Sequence, residues 1–346
     1  MKLGLIAGHA GSRVDVQLDL IRRAEKLGYD SVWTSEAWGS DAVTTATWIL
    51  AHTTRIKAGT AIMQMPARTP AMTAMTAMTL SQLSGNRFIV GLGASGPQVI
   101  EGWHGVAYGK PVTRFKEYIQ IMKRIFAREA PLSFDGELYQ LPYRGAGATG
   151  LGKPLKSILH CDARIPIYGA NITPAGVRAA AEVADGFFPV WMDPEQFHVF
   201  EKPIAEGFAA SGQSKTLGDF NIAPFVRVVI GDDLKACMRP LKENLALYIG
   251  GMGARTKNFY NDYAKRLGFE EAAVKIQDLY LAGRKDEAAA AVPDELVDAV
   301  NLVGTPARIR ERAQRWIEAG KRGHVGSMLF ADANEQVVDL MAEIFL

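Results

Sequence analysis

The residues with the type and position to do chemistry are a carboxylate, two histidines and a set of glycine loops, all next to apolar runs. Glu36 closes the run Asp30-Ser-Val-Trp-Thr-Ser-Glu36. A carboxylate at a strand end could trade a proton or touch a bound ring; the competing reading is a structural salt bridge with Arg68. His9 ends the first apolar run between Gly8 and Gly11, and His104 lies in Trp103-His104-Gly105. Each is a candidate for acid–base work, set against the plainer reading of a hydrogen-bonded loop histidine. Trp38 and Trp103 either wall an apolar pocket or are buried in helix packing. Gly91-x-Gly93-x-x-Gly96 matches the dinucleotide fingerprint and follows a strand. No helix opens at once, however, because Pro97 and Glu101-Gly-Trp-His-Gly intervene. The acid expected on a ribose is not evident, since Glu117 has the distance but sits in a helical stretch. What survives is a loop whose exposed N–H groups suit an anion.

These loops need elements to hold them. Ile56, Ala58, Thr60 and Ile62 form a strand, and Thr69-Pro70 starts a helix with threonine as cap and proline in the first turn. Gly85 ends that helix, and Arg87-Phe-Ile-Val-Gly-Leu-Gly93 is the next strand. Two strands joined by a helix run parallel, so loops 61–69 and 93–98 open on one side. Met72, Met75 and Met78 step by three and are expected to form one apolar core face. Earlier, Lys2 to Gly8 reads as a buried strand, and Ser12 with Asp15 as a capping box for a helix carrying Val14, Leu18 and Ile21. Asp41 caps a helix reaching His52.

The rhythm lapses after Gly96. Val112 to Arg128 is a helix, Asp135-Gly136 a hairpin turn, and 143–154 a glycine-rich loop. It resumes with strands at Arg164–Asn171, Asp185–Val190, Asn221–Ile230 and Val325–Phe330, with Thr173-Pro174 and Thr305-Pro306 starting helices. Residues 233–298 read as extra helices, broken at Pro240 and at Gly250-Gly-Met-Gly253. Eight strands alternating with helices predict an α/β chain, a TIM (β/α)8 barrel with insertions at about 94–163 and 233–300, forming one domain over 1–346. Its site belongs at the strands' C-terminal ends.

Composition narrows the function. The net charge of +2, from 39 basic and 37 acidic residues, offers no electrostatic case for nucleic acid. No run is long enough to span a bilayer, and the start of the chain has no signal-type stretch. Cys161 and Cys237 are isolated thiols, which fits a reducing cytoplasm, and no cluster has metal-ligand spacing.

Several blocks carry a resemblance when taken together in order: Gly28-Tyr-Asp-Ser-Val-Trp33 with Ser35-Glu-Ala-Trp38, Gly59-Thr-Ala-Ile62 with Pro66-Ala-Arg-Thr-Pro70, Arg87 to Gly93, and Ala184-Asp-Gly186. The chain resembles the bacterial luciferase-like superfamily, in its branch of coenzyme F-420-dependent oxidoreductases. The run Gly93 to Gly105 looks like a subgroup of that branch with no assigned substrate. The resemblance implies a homodimer with a deazaflavin in each barrel mouth. It also implies a non-proline cis peptide at Ala61–Ile62 bulging against the back of the ring. By the same likeness the coenzyme lies among Glu36, Thr60, Ala61, Ile62, Gly93 and Ala170, with its phosphate at the backbone of Gly96, Pro97, Gln98 and Val99 and of Asn171, Ile172 and Thr173. Catalytic work falls to Glu36 and His9.

The departures are informative. Members that dehydrogenate alcohols and sugar phosphates follow the strand-end acid with a histidine, and here Glu36 precedes Ala37. Their fourth-strand glutamate falls at about Gly96, and their phosphate-binding lysine near Asp193. Oxidation of a sugar phosphate is therefore disfavoured, and reduction of an activated alkene, imine or carbonyl is the expectation. An FMN-dependent monooxygenase is the alternative on the same fold, and a coenzyme carrier without turnover is the alternative of another class.

Overall fold

The structure is a computed structural model and describes residues 1–7, 12–162 and 164–346. Chain order begins β1 (Lys2–Ala7), α1 (Leu18–Leu27), β2 (Ser31–Thr34), α2 (Ala42–His52), β3 (Lys57–Thr60), β4 (Met63–Gln64), α3 (Pro70–Ser84) and β5 (Phe88–Gly93). The middle holds α4 (Pro97–Gly102), α5 (Pro111–Ala127), the hairpin β6 (Phe134–Asp135) and β7 (Gln140–Leu141), β8 (Ile167–Gly169), α6 (Pro174–Val183), β9 (Gly186–Phe187) and α7 (His198–Ala210). Then come β10 (Asn221–Ile222), β11 (Phe225–Ile230), α8 (Leu234–Ala246), α9 (Phe259–Arg266), α10 (Glu270–Leu281), α11 (Lys285–Ala290), α12 (Asp294–Val300), β12 (Leu302–Gly304), α13 (Pro306–Lys321), β13 (Ser327–Ala331) and α14 (Glu335–Phe345).

The threonine–proline starts behave as their chemistry requires. Thr69 Oγ accepts from the Met72 N–H at 3.2 Å, Thr173 from Gly176 at 3.1 Å and Thr305 from Arg308 at 3.3 Å. Gly85 ends α3 at φ 66°. All pairings of the large sheet are parallel, in the order β10-β9-β8-β5-β3-β2-β1-β13-β11-β12, with β4 beside β5. From β1 to β10 the order of the main path follows the chain, and β13 returns to β1, so the sheet curls. The ladders end at β10 and β12 without meeting, so the architecture is a curled parallel α/β sheet. Between β10 and β11, Pro224 has no N–H to give a ladder. Across that break the Ile222 and Pro224 carbonyls accept from Gly326 and Leu329 at 2.9 and 3.0 Å.

Two apolar layers hold the sheet. The outer one lies between strands and helices. The inner one, inside the curl, is built from Trp33, Ile89, Tyr168, Phe188, Ala223 and Leu329, topped by the half-buried Ile6, Ala61, Ile62, Ala170 and Phe225. Trp33 stacks on Tyr168 at 5.4 Å and meets Phe188 edge-on at 5.1 Å. Gly91 belongs to this packing: a Cβ there would stand 1.7 Å from the Thr60 carbonyl oxygen. The Thr60 hydroxyl accepts from the Gly91 N–H at 2.9 Å and donates to its carbonyl at 2.8 Å. The glycine that opens the dinucleotide fingerprint is thus a close-approach residue inside β5.

Polar residues of the recurring blocks prove structural. Arg87 donates to the carbonyls of Leu50, Thr53 and Ile56, closing the C-terminal end of α2. Asp185 accepts from the Ile167 N–H at 2.9 Å and pairs with Lys123. Glu117 accepts from Glu137, Leu138 and Tyr139 N–H groups and so holds the β6–β7 hairpin, which disposes of it as a ribose acid.

Four expectations are corrected. Helix α1 starts at Leu18, because Asp15 accepts from Gln17 and Gln17 turns the chain at φ 48°; Val14 stays exposed. Met72 and Met75 are exposed and only Met78 is buried, since α3 turns Thr73, Ala74, Ala77 and Ser81 inward. Pro240 lies inside α8 without ending it. Strand β12 was not anticipated; it pairs with β11. No helix among the described residues is long and apolar enough to cross a membrane.

Candidate functional site

Parallel strands put their C-terminal ends on one edge, where Thr34, Thr60, Gly93, Gly169 and Phe187 stand in adjacent strands. The turn leaving β3 is the most heavily tied part of that edge. Its Ala61–Ile62 peptide is cis. The Ile62 side chain occupies the space a Cβ on Gly93 would fill, with Ile62 Cδ1 at 2.8 Å. Glu36 Oε1 accepts from the Gln64 N–H at 2.8 Å and from Arg68 at 2.5 Å, while Oε2 accepts from the Ala42 N–H at 3.1 Å. With only 8% of its side chain exposed, Glu36 is committed to holding three segments together.

Arg68 bridges onward to Asp41, the cap of α2. Burial disfavours the Asp41 charge, but the Thr44 hydrogen bonds and Arg68 outweigh it and hold its pKa below the ordinary carboxylate range. Burial also works against the Arg68 charge, and the bond and charge of Glu36 reverse that, raising its pKa.

Gln64 is buried and links this turn to the next loop. Its amide nitrogen donates to the carbonyls of Ala37 at 2.9 Å and Glu36 at 3.3 Å, and its Oε1 meets His104 Nε2 at 2.6 Å. Tyr108, further along the same loop, donates to the Ser95 carbonyl at 3.1 Å, and burial raises its pKa. Within Gly96 to Val99 the donors are fewer than expected. Pro97 has none, and the Val99 N–H is taken by the Gly96 carbonyl.

The loop after β8 is different. Ala170 is tied to Leu92, but the N–H groups of Asn171, Ile172, Thr173 and Ala175 have no partner among the described residues. They open the ten-residue helix α6, whose dipole favours an anion. Asn171 Nδ2 is buried and likewise unpaired. Arg266, from α9, donates to the Ile172 carbonyl at 2.7 Å and makes no salt bridge among the described residues. Burial lowers its pKa. A phosphate is the chemical complement of these donors.

An aromatic wall stands beyond. Trp191, two residues past the Pro189 that follows β9, has φ 47° and packs on Tyr248 at 5.7 Å and Tyr260 at 5.4 Å. Tyr248 lies on a π-helical turn, 247–251.

The structure therefore brings together Glu36, Thr60, Ala61, Ile62 and Gly93, with Ala170 to Thr173 following β8, the strand next to the β5 that carries Gly93. His9 lies outside the described residues. Trp38 and Trp103 are exposed and are not in helix packing. Sequence reasoning missed Gln64, Arg266 and Trp191. Of these only Trp191 carried a signal, a tryptophan just past a strand's C-terminal end. No group of three or more metal-ligating side chains occurs among the described residues.

A family model described as luciferase-like monooxygenase matches residues 4–323. The chain belongs to the luciferase-like family. Among luciferase-like relatives, the Mycobacterium tuberculosis protein Rv3520c, provisionally named a coenzyme F-420-dependent oxidoreductase, is 44% identical over 99% of this chain and 98% of its own. The 5,10-methylenetetrahydromethanopterin reductase of Archaeoglobus fulgidus is 27% identical over 87% of this chain and 85% of its own. The coenzyme F-420-dependent tetrahydromethanopterin reductase structure from Methanopyrus kandleri superposes with a TM-score of 0.76 at 20% identity, covering 99% of this chain and 97% of that one, which shows a shared fold.

Proposed function

We infer that the protein is a coenzyme F-420-dependent oxidoreductase that transfers a hydride to an organic substrate, reduction being the favoured direction. The observation that carries this reading is the donor set of Asn171 to Ala175, without partners among the described residues, with Arg266, following directly on Ala170, which shares the inner apolar layer with the Ala61–Ile62 step. When bound, the coenzyme supplies a ring carbon that gives or accepts the hydride. The protein's share is binding and orientation. Arg266 and the loop donors hold the phosphate, while Thr60, Ala61, Ile62 and Ala170 lie under the ring and Gly93 leaves room for Ile62. In the Gly96–Val99 segment, the Gln98 N–H assists. Glu36 acts as a positioning residue that fixes this turn, rather than as the proton donor.

The sheet is read as a closed TIM (β/α)8 barrel forming one domain, the ring completed through the single stretch Asn221–Ile230, which is paired with β9 at one end and β13 at the other. A homodimer is supported by the apolar side chains Trp48, Met72, Met75 and Leu83 left exposed on the touching helices α2 and α3, and a monomer by sedimentation would reject it. Two free cysteines suit a reducing cytoplasm.

Equilibrium titration with the oxidised deazaflavin and with FMN tests the coenzyme. Binding of the former at micromolar concentration is expected, and its absence sinks the proposal. Enones and imines are then screened as hydride acceptors with the reduced coenzyme. Oxygen uptake with reduced FMN would point to the monooxygenase alternative instead.

A further inference from the structure

We propose that His104 is the proton-transfer residue of this mouth, standing in for the imidazole that Ala37 lacks. The proposal rests on the coenzyme reading above, and the argument runs through Gln64. An amide can face either way, but here the environment fixes it. The Gln64 nitrogen has two carbonyls to serve, Glu36 and Ala37, so its oxygen must face His104. That oxygen only accepts. His104 Nε2 therefore carries a hydrogen, and in the neutral ring Nδ1 is the bare nitrogen.

Nδ1 has no hydrogen-bond partner among the described residues and is not among their buried unpaired atoms, so it is open to solvent and free to meet a ligand. An acceptor-only partner also suits the imidazolium, so the ring keeps one orientation through a cycle of proton gain and loss. Position supports the role. Gln64 is paired with Gly93 in the β4–β5 ladder, and Gly93 carries the Ile62 side chain of the proposed ring cushion. The same Gln64 touches the backbone of residue 37. His104 is thus one side chain away from the place where a base after Glu36 would stand.

The step balances simply. The substrate carbon gains a hydride from the reduced coenzyme, which ends oxidised by two electrons. The adjoining atom gains the proton on His104 Nδ1, leaving neutral imidazole with its Nε2–H still on Gln64. Water then returns a proton to Nδ1.

Three measurements test this. Long-range proton–nitrogen spectra of histidine-labelled protein, assigned with His104→Gln, should show His104 as the Nε2–H tautomer; the other tautomer overturns the proposal. At about ten times its Kd, oxidised coenzyme should slow carbethoxylation of His104 by diethylpyrocarbonate about tenfold, because only the free fraction reacts. The exposed His198 serves as the control, and equal rates at His104 with and without coenzyme overturn the proposal. His104→Gln should bind coenzyme within about threefold of the unaltered protein while turning over the best acceptor of the enone and imine screen about 10²–10⁴-fold more slowly. Unchanged turnover, or a matching collapse in coenzyme affinity, assigns His104 a structural role and removes this proposal alone. No coenzyme binding by the unaltered protein, or no acceptor in the screen, removes the proposed function and this proposal with it.

Discussion

The two sides of the mouth are built on opposite principles. On the β2–β5 side, side chains lock loop to loop: Glu36, Arg68, Asp41 and Gln64 join the ends of β2, β3 and α2 with few donors to spare. On the β8–β11 side the strands are mostly two or three residues long, and Pro224 interrupts a ladder. There the loop donors of Asn171 to Ala175 have no partner among the described residues, and helix α9 and the turn 247–251 lend Arg266 and Tyr248. A saturated region makes a rigid floor. An unsaturated one waits for a ligand. The comparison assigns shape to the first side and charge recognition to the second, and both assignments can be attacked.

The harshest test strikes the floor. Gly91→Ala would drive a Cβ into the Thr60 carbonyl, backbone against backbone, with no side chain able to yield. A loss above about 4 kcal/mol, or failure to fold, is expected; a soluble variant melting with the unaltered protein would show that the two strands can separate cheaply.

Next comes the network. Glu36→Ala strips a partly buried guanidinium of one of its two carboxylates and leaves the Gln64 and Ala42 N–H groups unanswered. Removing one partner of a buried pair costs about 3–5 kcal/mol, and the surviving Asp41 pair should keep the loss near the lower end. Urea unfolding measures it. The pH dependence has a definite sign. The Asp41 pKa is lower in the folded protein than in the unfolded chain, so its contribution is full above the unfolded carboxylate value, about 4, and is lost as pH falls through the depressed folded value. Arg68→Met should make the protein unfold at a higher pH on acid titration.

The unsaturated side is probed by Arg266→Ala. A charge-assisted bond to phosphate is worth about 1.5–3 kcal/mol, so coenzyme affinity should fall about ten- to a hundredfold with stability nearly unchanged. The control is a deazaflavin nucleoside without phosphate, whose affinity should not move. An equal loss for both ligands would place Arg266 away from the phosphate.

The two sides also differed in how far the sequence disclosed them. Thr69-Pro70, Thr173-Pro174 and Gly85 announce helix ends because cap chemistry is local, and strand–helix alternation follows from short-range patterning. Glu36 with Arg68 was visible as one of two readings, both residues lying in adjacent strand-end loops. Gln64 to His104 spans 40 residues and Arg266 to Ile172 spans 94, and no local pattern encodes which distant segment a side chain will reach. The methionine triplet misled because a step of three drifts round a helix, and small residues took the buried face instead.

The smallest effect gives the cleanest contrast, since it uses one device on both sides. Thr69 and Thr173 cap their helices through the same hydroxyl-to-N–H bond, at 3.2 and 3.1 Å, each followed by proline. Replacing either by alanine should cost about 1 kcal/mol of stability, read by urea unfolding. Their consequences for the coenzyme should part. Helix α3 starts from a turn already fixed by Arg68 and Glu36, so Thr69→Ala should leave coenzyme affinity where it was. Helix α6 starts from the unpaired donors themselves, and a frayed first turn misaims them, so Thr173→Ala should weaken coenzyme several-fold while Thr173→Ser restores it. Equal affinities in the two alanine variants would mean that the anion sits elsewhere, and the division of labour between the sides would fail with it.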